Sequence, residues 1–83
     1  MKNNYKYSIH LQKRIKQRNI EEQWIIDTLE NPDNKEKISS IEEHFSKKII
    51  KFAGRCLKVI VNPSSKIIIT AFFDRKMTKK NCK

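Results

Sequence analysis

Ile9, Leu11, Ile15 and Ile20 recur mostly at helical rather than strand intervals, with Ser8 just ahead of them as an N-cap candidate. The pattern predicts a first helix of about three turns. Asn19 tolerates the left-handed backbone that often ends a helix, so Ile20 is expected to fold back onto the core. A second helix is predicted over residues 21 to 30. Glu21 and Glu22 open it where the helix dipole favours negative charge, and Trp24, Ile25, Thr28 and Leu29 share one side. Pro32 ends it by pushing Asn31 out of helical geometry.

Beyond Pro32 the period changes towards two. "EKISSIEEH" (36–44) is a weak, polar strand candidate, "FSKKIIKFA" (45–53) a better one, "CLKVIVN" (56–62) a strong one and "KIIITAFF" (66–73) the strongest. Alternation sets Phe45, Lys47, Ile49, Lys51 and Ala53 against Ser46, Lys48, Ile50 and Phe52. It likewise sets Leu57, Val59 and Val61 against Cys56, Lys58 and Ile60, and Ile67, Ile69, Ala71 and Phe73 against Ile68, Thr70 and Phe72. Both faces of the last strand are apolar, so it should be central or covered twice. Short turn signals around Pro32, Gly54 and Pro63 imply an antiparallel meander. The expected fold is α+β: two N-terminal helices packed on a three- to four-stranded antiparallel sheet.

At 83 residues and 37% hydrophobic content, the chain suffices for one domain over 1–83, with a core at about 7–76 and a basic tail at 77–83. Nineteen Lys and Arg against nine Asp and Glu give a formal net charge of +10. Such a field favours polyanions: nucleic acid, an anionic membrane or an acidic partner protein. The segment "MKNNYKYSIH" does not resemble a signal sequence, and no stretch approaches the roughly 20 apolar residues of a membrane span, so no membrane association is expected. Two cysteines are far from the dense pairing of small secreted scaffolds. Cys56 reads as a core or subsurface thiol, Cys82 as a tail residue with no partner near in sequence, and the expected compartment is a reducing cytoplasm.

His10, Arg14 and Arg18 fall at steps of four, side by side on one helix face. That face is either solvated surface or a place where phosphate is held and a proton moved, because imidazole both donates and accepts near neutrality. Arg55 opens a strand after Gly54, while Arg75 and Lys76 follow the last strand. Thr70 interrupts an apolar run, either through simple strand preference or as a hydroxyl for a bound phosphate. Asp74 reads as a partner for Arg75 or a helix terminus, and His44 as surface or a second acid or base. Aromatic and basic residues interleave from Phe45 to Phe52, including Lys47 and Lys48, either as a cue for stacked bases or with the phenylalanines spent in the core. A single glycine excludes a Gly-rich phosphate loop or dinucleotide fingerprint. The Cys and His spacings match no zinc pattern, and no serine stands in a nucleophile elbow, so neither metal nor cofactor is expected.

The segments "SIHLQKRIKQRNI", "WIIDTLENP", "GRCLKVIVN" and "IIITAFFDRK" together resemble a family of small bacterial proteins known as a domain of unknown function. Its pattern is His, three residues, Arg, three residues, Arg-Gly-Ile, then a helix ending in Asn-Pro. In layout these proteins are similar to RelE- and BrnT-like toxins of the wider barnase, EndoU, colicin and RelE ribonuclease fold. The resemblance covers about residues 7–76 and implies metal-free RNA cleavage in active members. Position by position it carries over to His10, Arg14, Arg18, Arg55 or Lys58, and Thr70. Asn19 replaces the usual Gly, and Lys58 stands where Arg is common.

The resulting expectation is a toxin-like, metal-independent endoribonuclease of a toxin–antitoxin pair, with His10, Arg14, Arg18, Arg55 and Thr70 as catalytic candidates. Lys47, Lys48, Lys58, Arg75 and Lys76 are the RNA-binding candidates. Partners would be RNA, an acidic antitoxin or a second copy of the chain. The alternative is a non-catalytic basic module that binds nucleic acid or docks an antitoxin.

Overall fold

The computed structural model describes residues 5–79 and 82. Along the chain run β1 (Lys6–Tyr7), α1 (Ile9–Arg18), α2 (Glu22–Glu30), β2 (Asn34–Ser39) and β3 (Glu42–Ile49). A 3-10 turn (Ile50–Phe52), β4 (Arg55–Asn62), β5 (Ile67–Phe73) and α3 (Arg75–Lys79) complete it. The fold is α+β, as the pattern predicts.

Local signals set the helices. The Ser8 hydroxyl accepts from the Leu11 N–H at 3.0 Å, satisfying a donor that α1 cannot satisfy internally. Asn19 ends α1 in the left-handed region at φ 53, and Ile20 turns inward to 3% exposure. Asn31, ahead of Pro32, leaves helical geometry at φ −135 and closes α2.

The sheet departs from expectation. It has five strands in the order β1-β5-β4-β3-β2, antiparallel except where β1 pairs parallel with β5. A strand therefore precedes the two helices, and a third helix follows the sheet. Two residues of β1 carry no readable period; what makes them a strand is the distant pairing of Lys6 N–H with Lys66 O at 2.7 Å. The weak segment 36–44 is not one strand, since it spans the end of β2, a turn at Ser40 and Ile41, and the start of β3. The next segment stops at Ile49 instead of reaching Ala53. Ala53 and Gly54 both adopt left-handed backbone, at φ 56 and φ 67, and turn the chain into β4. The intervening 3-10 turn leaves Ile50 82% exposed and brings Phe52 against the core.

Both long helices cover one sheet face, packing Leu11, Ile20, Trp24 and Ile25 on Phe45, Ile49, Leu57, Val59, Val61, Ile68 and Ala71. Leu57, Val59 and Val61 are fully buried, as alternation predicts. In β5 the alternation slips. Ile60 opposes Thr70 while Val61 opposes Ile68, so Ile69 becomes the extra residue of a bulge, and Ile68 joins Ala71 in the core.

Cys56 and Cys82 are not free thiols but a disulfide, 26 residues apart in sequence. Their Cα atoms stand 5.5 Å apart because α3 carries the chain back beside β4, where Cys82 N–H donates to Met77 O at 2.7 Å. Among the described residues no helix is long and apolar enough to cross a membrane.

Candidate functional site

One open pocket of about 640 Å³ forms where the end of α1, the mouth of β4, the end of β5 and α3 meet. Among the described residues it is lined by Arg18, Arg55, Arg75, Lys79, Thr78, Phe52, Phe72 and Phe73: four cations, a hydroxyl, three aromatic rings and no carboxylate.

Each element delivers its cation for a separate reason. Arg18 lies in the last turn of α1, where positive charge suits the helix dipole. Its Nη1 donates to Ala71 O at 3.0 Å, on the edge of β5 that β1 leaves unpaired beyond Tyr7 and Ile68. Ser8 covers the same edge by donating its hydroxyl to Ile69 O at 3.0 Å. Arg55 follows the left-handed turn, its guanidinium 5.2 Å from the Phe52 ring centre. Phe52 in turn stacks on Phe73 at 4.6 Å, with Trp24 behind both at 5.4 and 6.1 Å, so the aromatic wall is braced from the core.

Arg75 and Lys79 come from α3, which Asp74 starts. Its Oδ1 accepts from Met77 N–H at 3.0 Å, and its Oδ2 lies 3.3 Å from Lys58 Nζ. The Met77 hydrogen bond, opposed by burial and helped by Lys58, holds the Asp74 carboxyl below the usual aspartate range. The Thr78 hydroxyl donates to Asp74 O at 2.8 Å and accepts from Cys56 N–H at 2.9 Å, tying α3 to β4.

The structure thus brings Arg18, Arg55 and Arg75 together and leaves the other candidates outside the lining. His10 and Arg14 sit on α1, where Arg14 Nε donates to His10 Nε2 at 3.4 Å and Arg14 Nη1 donates to Gln17 at 3.1 Å. His10 is two helical turns, roughly 12 Å along the axis, from Arg18. Thr70 pairs with Ile60 on the sheet face opposite the helices, away from buried Ala71. Lys47 Nζ donates to Asn31 O at 3.0 Å, Lys48 is exposed beside Gly54, Lys58 serves Asp74, and Lys76 is exposed on α3. His44 Nε2 lies 2.6 Å from Glu42 Oε2. Among the described residues no cluster of three or more His, Cys, Asp or Glu could hold a metal ion.

Sequence reasoning missed Thr78 and Lys79 as site residues and placed Phe72 and Phe73 only as strand apolars, while Phe52 stood in the stretch read as a cue for stacked bases. The available signal was "DRKMTK": an aspartate N-cap followed by Arg75 and Lys79 one turn apart.

A family model described as Domain of unknown function (DUF4258) matches residues 7–73. No curated protein and no solved structure matches the chain.

Proposed function

From the premise that the chain belongs to the family described as Domain of unknown function (DUF4258), a description that assigns no activity, we propose that it binds single-stranded RNA in the Arg18–Arg55–Arg75 pocket. The observation that carries this reading is the convergence of four cations on an aromatic wall with no carboxylate among them. Guanidiniums match phosphate oxygens in bidentate fashion, and phenylalanine faces accept bases of any identity. A concave pocket admits a base only when it is unstacked, which favours a single strand over a duplex. The net charge of +10 draws the polyanion in. The choice of RNA over DNA rests on the sequence resemblance to RelE- and BrnT-like toxins alone.

The test is fluorescence anisotropy with a labelled single-stranded RNA decamer, its DNA counterpart and the corresponding RNA duplex. The single-stranded RNA should bind most tightly, and Arg55→Ala should weaken it about tenfold while leaving the fold intact. Equal affinity for strand and duplex, with Arg55→Ala silent, would overturn the reading.

A second reading, toxin-like metal-independent endoribonuclease, is favoured by one observation: Arg18, implied by the family resemblance, and Arg55, one of the two positions it allows for the strand cation, line the same pocket. In such cleavage a base takes the 2′-hydroxyl proton and the oxygen attacks the adjacent phosphorus. The 5′-oxygen then leaves with a proton from an acid, giving a cyclic phosphate and a free 5′-hydroxyl, while cations stabilise the charge on phosphorus. His10, the base or acid expected from the sequence, lies outside this pocket about 12 Å along α1 from Arg18, so this reading requires the RNA strand to run along α1 as far as His10. Incubation with total RNA in excess EDTA separates the readings: discrete fragments, lost in His10→Ala, support cleavage, and retarded but intact RNA supports binding alone. An acidic antitoxin would meet the same four cations and should compete with RNA for them.

A further inference from the structure

We propose that Cys56 and Cys82 form a thiol–disulfide latch on the pocket: oxidised, it holds α3 against β4 and completes the cationic lining; reduced, it frees Arg75 and Lys79 from that lining. The latch regulates the RNA site proposed above and rests on that reading for its effect on binding, though not for its effect on α3.

Three observations meet here. First, α3 has only five residues, none of them buried, so neither helix propensity nor core packing fixes its position. Its place depends on tethers. Second, three of these tethers converge on one residue of β4, Cys56, with the Lys58–Asp74 ion pair at 3.3 Å beside them. Cys56 receives the disulfide from Cys82, donates its N–H to the Thr78 hydroxyl at 2.9 Å, and accepts through its carbonyl from Asp74 N–H at 2.9 Å. Third, α3 supplies Arg75, Thr78 and Lys79 to the pocket, including two of its four cations. A covalent bond at Cys56 therefore acts on the lining itself.

Both cysteines are fully buried, yet neither belongs to the hydrophobic cluster under α1 and α2. Opening the chain beyond Phe73 thus exposes the sulfurs without unfolding that cluster. Oxidation needs a low-molecular-weight disulfide as the co-reactant. A Cys82 thiolate attacks one of its sulfurs and expels one thiolate; the Cys56 thiolate then attacks the mixed disulfide at the Cys82 sulfur and expels the second. One small disulfide and two protein thiols become one protein disulfide and two small thiols. Excess dithiol reverses the step. Disulfides inside cells are most often of this transient, sensing kind, and a bond joining the five-residue α3 to a strand is placed for it.

The test compares protein equilibrated with glutathione disulfide, protein reduced with dithiothreitol, and Cys82→Ser, which spares the interior position at Cys56. Two readouts are needed: affinity for the labelled single-stranded RNA decamer across salt concentrations, and the rate of tryptic cleavage after Arg75, Lys76 and Lys79. Reduced protein and Cys82→Ser should both bind RNA about tenfold more weakly than oxidised protein, with a log–log salt slope shallower by about 1.4, as two phosphate contacts to a single strand are lost. Their cleavage in α3 should be faster by about tenfold, since proteolysis tracks the open population. Equal cleavage in the oxidised and reduced states would overturn the latch whatever the RNA does. Unequal cleavage with equal RNA affinity would overturn its control of the pocket. Absence of RNA binding in every state would overturn the RNA reading instead, with trypsin still deciding whether the latch exists.

Discussion

Arg18 Nη1 donates to Ala71 O at 3.0 Å, so the last turn of α1 is fastened to the open edge of β5 by the same side chain that faces the pocket. Two roles in one guanidinium can be separated by substitution. Arg18→Lys retains the charge but loses the fork that reaches carbonyl and phosphate together. We expect Arg18→Ala to weaken RNA binding about tenfold and to reduce the salt slope by roughly one. Arg18→Lys should restore the slope but only part of the affinity. The cost in stability should be about 1 kcal/mol, that of one hydrogen bond. Anisotropy titrations and urea melts check this; an Arg18→Ala protein binding like wild type would remove Arg18 from the site.

Asp74 makes α3 sensitive to acid. Its carboxyl sits below the ordinary aspartate value of 3.8, first because Met77 N–H donates to it and then because of Lys58. A depressed folded value means that the ionised form is favoured by folding. Its contribution is therefore fully present above the unfolded value and is lost as pH falls through the folded one. Between about pH 5 and pH 2 the Met77 and Thr78 amides should lose hydrogen-exchange protection sooner than those of β4. Asp74→Asn, which cannot ionise, should flatten that difference, and parallel profiles for the two proteins would count against it.

What was legible in the sequence is what neighbours in sequence decide. Ser8, Asn19 and Pro32 mark the helix boundaries because caps and proline act within a turn or two. Leu57, Val59 and Val61 are readable because β4 is regular. The strand at Lys6 and Tyr7, the bulge at Ile69 and the docking of α3 depend instead on partners tens of residues away, and no local period encodes them. The site divides the same way. Spacing shows that His10, Arg14 and Arg18 are neighbours on one helix. Only topology shows that Arg18 meets Arg55 and Arg75 across the sheet end, while His10 does not line that pocket.

Leu57 and Ile50 test this division by stability. Leu57 is fully buried beneath the helices, so Leu57→Ala should cost about 2–5 kcal/mol through lost burial and a residual cavity. Ile50 is 82% exposed, and Ile50→Ser should shift stability by no more than about 0.5 kcal/mol. Chemical denaturation of both variants provides the check. A large loss at Ile50 would mean that β3 runs on past Ile49 with Ile50 turned inward.

Ala53 and Gly54 yield opposite expectations from adjacent positions. Both have left-handed backbone, at φ 56 and φ 67, and together they reverse the chain ahead of Arg55. An L-residue in that region costs roughly 1–2 kcal/mol, whereas glycine enters it freely but loses more entropy on folding, roughly 0.5–1 kcal/mol. Ala53→Gly should therefore stabilise the protein by up to about 1 kcal/mol. Gly54→Ala should destabilise it by about 1 kcal/mol, since the new methyl also comes within 3.1 Å of Lys48 Cε, a flexible stem that can move aside. Thermal melts of the two variants and of the double exchange check the pair. If Ala53→Gly lowered the melting temperature as much as Gly54→Ala, the turn would not require two left-handed residues, and Arg55 would enter the pocket by a different path.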